Sequence, residues 1–411
     1  MDMLRFKSLS KLGENEAEKQ ILNKWLKDDI LGKCLEKSKN DPPFIFYDGP
    51  IYANAHPGLH HMYAKEIKDA FCRYKTMKGY KVLRKIGLDA HGLPVEVQVE
   101  KELGFSGKGD IEKYGIKEFN QKCRESVWKN EKAFREFTEK LGQFIDLENP
   151  YITYQNDYIE TEWWILKKFF DEGLIYDGLK ILPYCPRCGT GLASHEVAQG
   201  YKEVSVNTVT VPFKVKSMDN TYLLIWTTTP WTLLANEAAC VNPKEKYVKC
   251  NSKGYNFILA EKLASKVLGD GYEVVEEYLG KDLEYLEYEQ FMPFLKVPGK
   301  AFYVTCDEYV TMEDGTGIVH MAPAYGQDDY EVCKRYGLAM CNPVDENGCY
   351  TEGPWKGRLV VDPELELEII KYLQANDKLF KKQKMEHNYP HCWRCKTPLV
   401  YYSKPSLYIK V

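Results

Sequence analysis

A chain of 411 residues exceeds one ordinary hydrophobic core, so roughly two or three domains are expected. Its composition, 44% hydrophobic and 28% charged, fits a folded globular protein and excludes a low-complexity chain; the formal charge of −4 excludes nucleic-acid binding through the field of the whole molecule, so such a partner needs a local basic surface. No apolar run reaches the roughly 18 residues of a membrane helix, Met1-Asp2-Met3-Leu4-Arg5 lacks a signal-peptide core, and the 13 cysteines are odd in number and scattered, which together predict a cytoplasmic chain without a disulfide framework.

Residues 1–40 read as an N-terminal helical extension. From Phe44 to Tyr47 a short apolar strand stops at Asp48-Gly49-Pro50, and a glycine-bearing loop follows. Beyond Pro57-Gly58, apolar residues recur at Tyr63, Ile67, Ala70, Tyr74 and Met77 with Lys65, Lys68, Arg73 and Lys75 between them. That spacing predicts an amphipathic helix ending near Gly79. Val82-Leu83 to Gly87 reads as a second strand, completing the strand–loop–helix–strand unit of a parallel sheet, whose ligands sit at strand carboxyl ends near Asp48-Gly49-Pro50 and Gly87-Leu88-Asp89. Apolar spacing predicts long helices over 117–145 and over Ile159–Gly173. From Val204 the pattern turns to β-branched alternation, as in Val204–Val215 and Tyr222–Thr228, with frequent glycines. A mostly β module is expected between Gly200 and about Glu386.

Two patterns suggest chemistry. Cys185-Pro-Arg-Cys188 and Cys392-Trp-Arg-Cys395 each offer two thiolates, and two such knuckles complete a tetrahedral structural zinc site. They are too far apart for a compact ribbon, so the metal would clamp the stems of the inserted module; the alternative is two unrelated cysteine pairs, with His391 a bystander. Pro57-Gly58-Leu59-His60-His61 at a helix start suits a phosphate, through free N–H groups, the positive dipole end and imidazole donors. Two exposed histidines capping a helix would read the same way.

Several segments in order, Asp48-Gly-Pro-Ile-Tyr-Ala-Asn54, Gly58-Leu-His-His61, Ile67-Lys-Asp69, Arg73-Tyr-Lys-Thr-Met-Lys-Gly-Tyr80 and Asp89-Ala-His-Gly-Leu-Pro-Val-Glu96, resemble the nucleotide-binding half of class I aminoacyl-tRNA synthetases of the isoleucine, valine and leucine group. The resemblance continues through Pro183–Gly189, Trp226-Thr-Thr-Thr-Pro-Trp-Thr232, Gly315–Pro323 and His391–Cys395. It implies an α/β fold: a Rossmann-like parallel-sheet catalytic half-domain over 41–182, interrupted by a mostly β (α+β) editing domain over 201–386, with zinc-binding stems at 183–200 and 387–411. The segment Thr227–Thr232 looks like the isoleucine version; a valine enzyme fragment, a free-standing aminoacyl-tRNA deacylase and a noncatalytic tRNA-binding module are the alternatives. Retention of Asp48-Gly-Pro and Asp89 argues against the last two.

The implied reaction joins isoleucine to ATP, with magnesium, and passes the acyl group to isoleucine tRNA; a monomer is expected. Gly49 and Pro50 would line the amino-acid pocket and Asp89 would hold the ammonium, while Gly58, His60 and His61 would meet ATP, with Asn54, His91 and Glu96 as further members. Two departures stand out: Gly58-Leu59-His60-His61 replaces His-Ile-Gly-His, and Leu88 stands where tryptophan is usual, a loss of pocket wall. No Lys-Met-Ser-Lys-Ser loop or anticodon-binding domain precedes Val411, so the chain reads as a fragment. Because a pocket rejects a substrate one methylene smaller by only about 1–3 kcal/mol, a second site must hydrolyse valyl products. The resemblance assigns Asp329 to the ammonium, Thr227, Thr228, Thr229, Thr232 and Asn236 to the floor of that site and its neighbour, and His320 to the wall that discriminates side chains. The plain alternative for the threonines is ordinary strand residues.

Overall fold

A computed structural model of the chain describes residues 14–46, 48–52, 56–105 and 107–411. Asn54 and the first residues of the N-terminal extension lie outside the described residues. The chain divides into two compact units, Met1–Leu174 and Ile175–Val411.

The first unit runs α1 (Glu14–Lys27), α2 (Ile30–Lys37), β1 (Ile51–Tyr52), α3 (Leu59–Met77), β2 (Lys85–Asp89), α4 (Leu93–Leu103), α5 (Lys108–Tyr114), α6 (Ile116–Leu141), β3 (Asp146–Ile152) and α7 (Asn156–Asp171). The strands form a parallel sheet in the order β1-β2-β3, with Ile51 opposite Leu88, Tyr52 opposite Asp89 and Leu88 opposite Ile152. Helix α6 buries Phe119, Val127 and Phe134 of the apolar spacing that predicted it, together with Asn130 and Thr138 on the same face. Leu88, Ala90, Val95, Val127 and Ile152 form the core beneath the sheet, each such side chain contributing on the order of 1.5–3 kcal/mol when fully buried, alanine less.

Three sequence expectations change here. The strand expected at Phe44–Tyr47 does not form over Phe44–Phe46; pairing begins at Ile51, so Asp48-Gly49-Pro50 precedes a strand instead of ending one. Pro43 has no N–H to give a ladder, and among the described residues the backbone pairing of this stretch is an isolated bridge to Lys81. The second strand starts at Lys85, later than Val82, which brings Asp89 to its carboxyl end. Helix α3 faces the other way round: Lys65, Asp69 and Cys72 are buried, while Tyr63, Ile67, Tyr74 and Met77 are exposed, joined by Phe71. The reason is a polar network beneath it. Arg73 Nε donates to Asp69 Oδ2 at 2.6 Å and Nη2 to Gly142 O at 2.7 Å, Lys65 Nζ donates to Gln143 Oε1 at 3.2 Å, and the Phe144 N–H donates to Asp69 Oδ1 at 3.1 Å.

The second unit runs β4 (Ile175–Cys185), β5 (Thr190–Gly191), α8 (Ser194–Ala198), β6 (Tyr201–Lys214), β7 (Thr221–Thr227), β8 (Ala238–Val241), β9 (Lys246–Ser252), β10 (Tyr255–Ala260), α9 (Ala264–Leu268), β11 (Glu273–Leu279), β12 (Tyr303–Cys306), β13 (Ile318–Met321), α10 (Gln327–Tyr336), α11 (Pro363–Ala375), β14 (Lys381–Pro390) and β15 (Val400–Ile409). One large mixed sheet follows the order β11-β9-β10-β7-β13-β8-β12, with β6 joining β7 to β14. Val209, Val211 and Phe213 alternate along β6 with no exposed area and pack with Leu223, Ile225, Val241 and Ile258, while Thr208 and Thr210 on the other face are also buried.

Two antiparallel ribbons bracket this module. Strand β4 pairs with β15 from Ile175 opposite Ile409 to Tyr184 opposite Val400, and β6 pairs with β14 from Tyr201 opposite Pro390 to Thr210 opposite Lys381. Gly200 sits where the ribbons meet: a Cβ there would lie 1.8 Å from the carbonyl oxygen of His391, whose N–H donates to Gly200 O at 2.9 Å. Among the described residues no helix is long and apolar enough to cross a membrane.

Candidate functional site

Strand β7 ends at Thr227, and Pro230, whose fixed φ suits the first helical position, starts a 3₁₀ turn over Pro230–Ala235. The sharp change of direction leaves Thr227, Thr228 and Thr229 side by side at the end of the sheet. Strand β13 lies between β7 and β8 and delivers His320, and the first turn of α10 delivers Asp329. These residues, with Thr232, Trp226, Val319, Ala322 and Tyr325, line one cavity of about 270 Å³. Six of the seven positions assigned to editing therefore meet in one space. The seventh, Asn236, lies directly behind the histidine.

The hydrogen bonds around His320 assign its proton. The Asn236 amide has two hydrogens, and its nitrogen lies 2.9 Å from both Ala238 O and His320 Nδ1; its Oδ1 accepts from the buried Tyr288 hydroxyl at 2.8 Å. Nδ1 of His320 is thus an acceptor, and Nε2 carries the proton that it donates to Thr232 Oγ1 at 2.9 Å. Burial pushes the imidazole down to about 3, so it stays neutral. A neutral Nε2–H imidazole is a donor and wall, and has no lone pair at Nε2 to serve as a base. Thr232 in turn donates to Thr229 O at 2.8 Å, so its 3.1 Å contact with Thr229 Oγ1 has Thr229 donating. Thr227 Oγ1 accepts the Thr229 N–H at 3.1 Å and touches Thr229 Oγ1 at 3.3 Å, whereas the Thr228 hydroxyl, also on the cavity, stays outside this chain.

Asp329 Oδ2 accepts the Ala322 N–H at 2.9 Å, and Tyr309 donates to Oδ1 at 3.5 Å. Burial pushes this carboxyl up to about 7 against the pull of the Ala322 N–H, with Asp328 adding repulsion. A carboxylate that is costly to ionise alone gains most from an arriving cation. Sequence reasoning missed Trp226, Val319, Ala322 and Tyr325 as cavity walls, and Tyr288 and Glu237 behind it. Glu237 is fully buried, accepts from the Cys341 N–H, and is pushed up to about 8 by burial. Trp226 and Val319 were not legible from a period of two, which places direct neighbours of Thr227 and His320 on the opposite face; they pair with each other across β7 and β13 and reach the cavity only where the strands end.

In the first unit, Asp89 ends β2, and burial raises its carboxyl while His91 pulls it back. Burial also raises Glu96, and His91 Nδ1 lies 2.7 Å from Thr153 Oγ1. Gly58 caps α3, and its N–H donates to His61 Nδ1 at 3.0 Å, so His61 is used as a cap here and keeps its Nε2–H; burial and the neighbouring His60 lower its proton affinity. Among the described residues no hydrogen bond or ion pair joins Asp89 to Gly49, Pro50, Gly58, His60 or His61. Leu88, which stands where the resemblance expects a tryptophan and was read as a loss of pocket wall, is 2% exposed in the core.

Cys185, Cys188, Cys392 and Cys395 converge with their sulfurs all within 4.8 Å of one another. Zinc–thiolate bonds of about 2.3 Å in a tetrahedron need sulfurs just under 4 Å apart, so the donor set fits. Cys392 is pushed down to about 6, and Cys395 is lowered too, by accepting hydrogen bonds from Cys185 and Cys188. Glu196 of α8 holds the second knuckle from outside, accepting from Trp393 Nε1 at 3.0 Å and Arg394 Nη2 at 2.5 Å. His391 instead faces Tyr389 O at 3.0 Å.

Residues 20–411 match the family described as tRNA synthetases class I (I, L, M and V), and the chain belongs to that family. Among its relatives are isoleucine–tRNA ligases of Clostridium tetani, 47% identical over 398 residues, and Clostridium novyi, 48% identical over 398, and isoleucine–tRNA ligase 2 of Bacillus anthracis, 47% identical over 395. Each match covers 96% of this chain and 38% of the relative, so the chain spans well under half the length of the curated relatives it matches. Likeness to solved structures is loose: the P. knowlesi cytosolic leucyl-tRNA synthetase editing domain (13% identity, TM-score 0.34, 44% of this chain and 98% of that one) and the ternary complex of Agrobacterium radiobacter K84 LeuRS with tRNA and LeuAMS (15%, 0.35, 93% and 48%).

Proposed function

We propose that this chain is the part of an isoleucine–tRNA ligase that hydrolyses misformed valyl-tRNA and supplies one half of the activation site for isoleucine and ATP. The observation that carries the reading is the single cavity holding the threonine cluster, neutral His320 and Asp329, in a chain close to half identical to ligases named for isoleucine. In this reading 41–182 is the activating half, 201–386 the editing domain, and 183–200 with 387–411 its stems; the protein works as a cytoplasmic monomer.

The editing step follows from the donors available. Asp329 takes the substrate ammonium, an ionic contact that backbone groups cannot match. The Thr228 hydroxyl, not consumed by its neighbours, positions water or the terminal ribose. Water adds to the ester carbonyl, the carbon–oxygen bond to the ribose breaks, and the proton released by water passes to the ribose oxygen, leaving valine and free tRNA. His320 takes no proton in this step; with Thr232 it forms the wall against which a larger side chain fails to seat. On the activation side, Gly49, Pro50 and Asp89 would receive isoleucine, and Gly58, His60 and His61 would receive ATP with its magnesium. A zinc ion held by the four cysteines would fix the stems and contribute to folding instead of chemistry.

The test is deacylation of valyl- and isoleucyl-tRNA. Asp329→Ala abolishes valyl-tRNA hydrolysis while the fold is retained; wild-type rates in that variant would refute the reading.

A further inference from the structure

Residues 342–351 form a small hairpin closed by an antiparallel bridge between Val344 and Tyr350, and its two ends are held by different parts of the second unit. The turn end lies on the stems. Gly348, at φ +75°, brings the backbone so near the first cysteine knuckle that a Cβ would lie 2.6 Å from Pro186 Cβ. Tyr184, one residue before that knuckle, donates its hydroxyl to Glu346 O at 2.8 Å, and Tyr402 of β15 donates to Val344 O at 3.1 Å. The two rings stack at 5.0 Å, so both strands of the β4–β15 ribbon grip the hairpin through backbone carbonyls.

The open end lies on the threonine cavity. Tyr350, 2% exposed, donates its hydroxyl to Trp231 O at 2.5 Å, inside the 3₁₀ turn whose next residue, Thr232, holds His320. Asn342 Oδ1 accepts from the Tyr325 hydroxyl at 2.8 Å, and its amide donates to Ser403 Oγ of β15 at 3.2 Å. Tyr325 is a wall of the cavity, and its ring meets Trp231 edge to face at 4.9 Å. A phenol that ends on a backbone carbonyl fixes the path of the chain instead of a rotamer, and a buried carbonyl that loses its donor is left unsatisfied.

We infer that this hairpin is a strut that transmits the position of the stems to the selective wall of the cavity, with Tyr184 and Tyr350 as positioning residues and Tyr325 as the wall they set. The inference rests on the deacylase reading, and it adds what holds the cavity at a valine-sized limit. Neither Tyr184 nor Tyr350 lines the cavity, yet one holds the hairpin on the ribbon and the other holds the turn that carries Thr232. Exclusion by one methylene needs walls that do not yield, and a slack strut lets the wall retreat until the larger side chain enters.

The test uses the full chain with Tyr350→Phe, Tyr184→Phe and the two combined; each change keeps the ring and removes one hydroxyl. The readouts are kcat/KM for deacylation of valyl- and of isoleucyl-tRNA, taken well below the melting temperature of each variant, and the 19F NMR resonance of Trp231 in protein carrying 5-fluorotryptophan, assigned with Trp231→Phe. Expected in Tyr350→Phe is a fall of about fivefold in the valyl over isoleucyl ratio, the worth of one neutral hydrogen bond, mostly through a gain on isoleucyl-tRNA. Tyr184→Phe shifts the ratio the same way and moves the Trp231 resonance, and the combined variant falls short of the product of the single effects because both hydroxyls hold one hairpin. An unchanged ratio in Tyr350→Phe, or single effects that multiply in full, would overturn the inference. If wild type hydrolyses neither ester, the deacylase reading fails on its own, and the resonance decides the strut: a Trp231 signal unmoved by Tyr184→Phe would overturn it.

Discussion

Asp329 and His320 lie in one cavity, yet burial acts on them in opposite directions, and a pH profile separates their roles. Asp329 must be ionised to hold an ammonium, and its carboxyl sits near 7 when the cavity is empty. Protonation below that value removes the handle, so kcat/KM for valyl-tRNA should fall as pH drops through about 7, and fall again above about 8 as the substrate's own α-ammonium loses its proton. His320, held near 3, adds no limb of its own in this range. Asp329→Asn should erase the acid limb along with most activity, and His320→Gln should keep it; an acid limb lost in the histidine variant would show that the proton was assigned to the wrong residue. The raised carboxyl also contributes stability that is fully present below the ordinary aspartate range and is lost as pH climbs through about 7, while buried neutral His320 acts in the opposite sense, its contribution being lost as pH falls from the ordinary histidine range toward about 3.

The threonines divide in the same way. Thr232→Val strands the His320 Nε2–H in a dry setting and should cost about 1–3 kcal/mol in chemical denaturation. Thr228→Ala breaks no protein hydrogen bond and should change stability by less than about 0.5 kcal/mol while slowing deacylation. The three adjacent threonines were legible in the sequence because they are contiguous. Tyr288, which fixes the Asn236 amide and through it the tautomer of His320, was not, since its role exists only once chain segments 52 residues apart are folded together.

At the level of elements, the helices and the two cysteine knuckles were readable because their signals are local: a stripe at helical period, a glycine past the last turn, a fixed Cys-x-x-Cys spacing. The orientation of α3 was not. Apolar periodicity marks a face but does not say what lies beneath it, and here Asp69, Arg73 and Lys65 find partners at Gly142, Gln143 and Phe144 that only the fold supplies. Strand register was equally hidden, because a slip of one residue exchanges the faces, and so Lys381 could not be connected with Thr210 and Trp226 beforehand. Two substitutions examine the ribbons. Gly200→Ala places a methyl on the His391 carbonyl and should lower unfolding free energy by at least about 2 kcal/mol. Cys392→Ser should release metal, measured by elemental analysis, and lower the melting temperature of the second unit, with valyl-adenosine turnover at low temperature kept; an unchanged melting temperature after chelation would argue against a structural ion.

For the molecule as a whole, the cysteine knuckles have a consequence in time. Cys185 and Cys395 are 210 residues apart along the chain, and the paired strands β4 and β15 beside them join residues separated by still more. Closing so long a loop is entropically costly, though each doubling of length adds only about 0.6 kcal/mol, and contacts of this range form late in folding. The sheet between the ribbons is built largely from nearer neighbours and can assemble before its two ends are joined. Refolding should then show two phases: a fast one reporting on the sheet, and a slower one in which the ends meet and the thiols gather. A metal ion would act on the second as a latch, leaving the rate of closure nearly unchanged and slowing only reopening. Stopped-flow refolding with and without zinc, followed by double-jump unfolding, would register this as equal folding rates and a longer-lived native state in the metal-loaded protein.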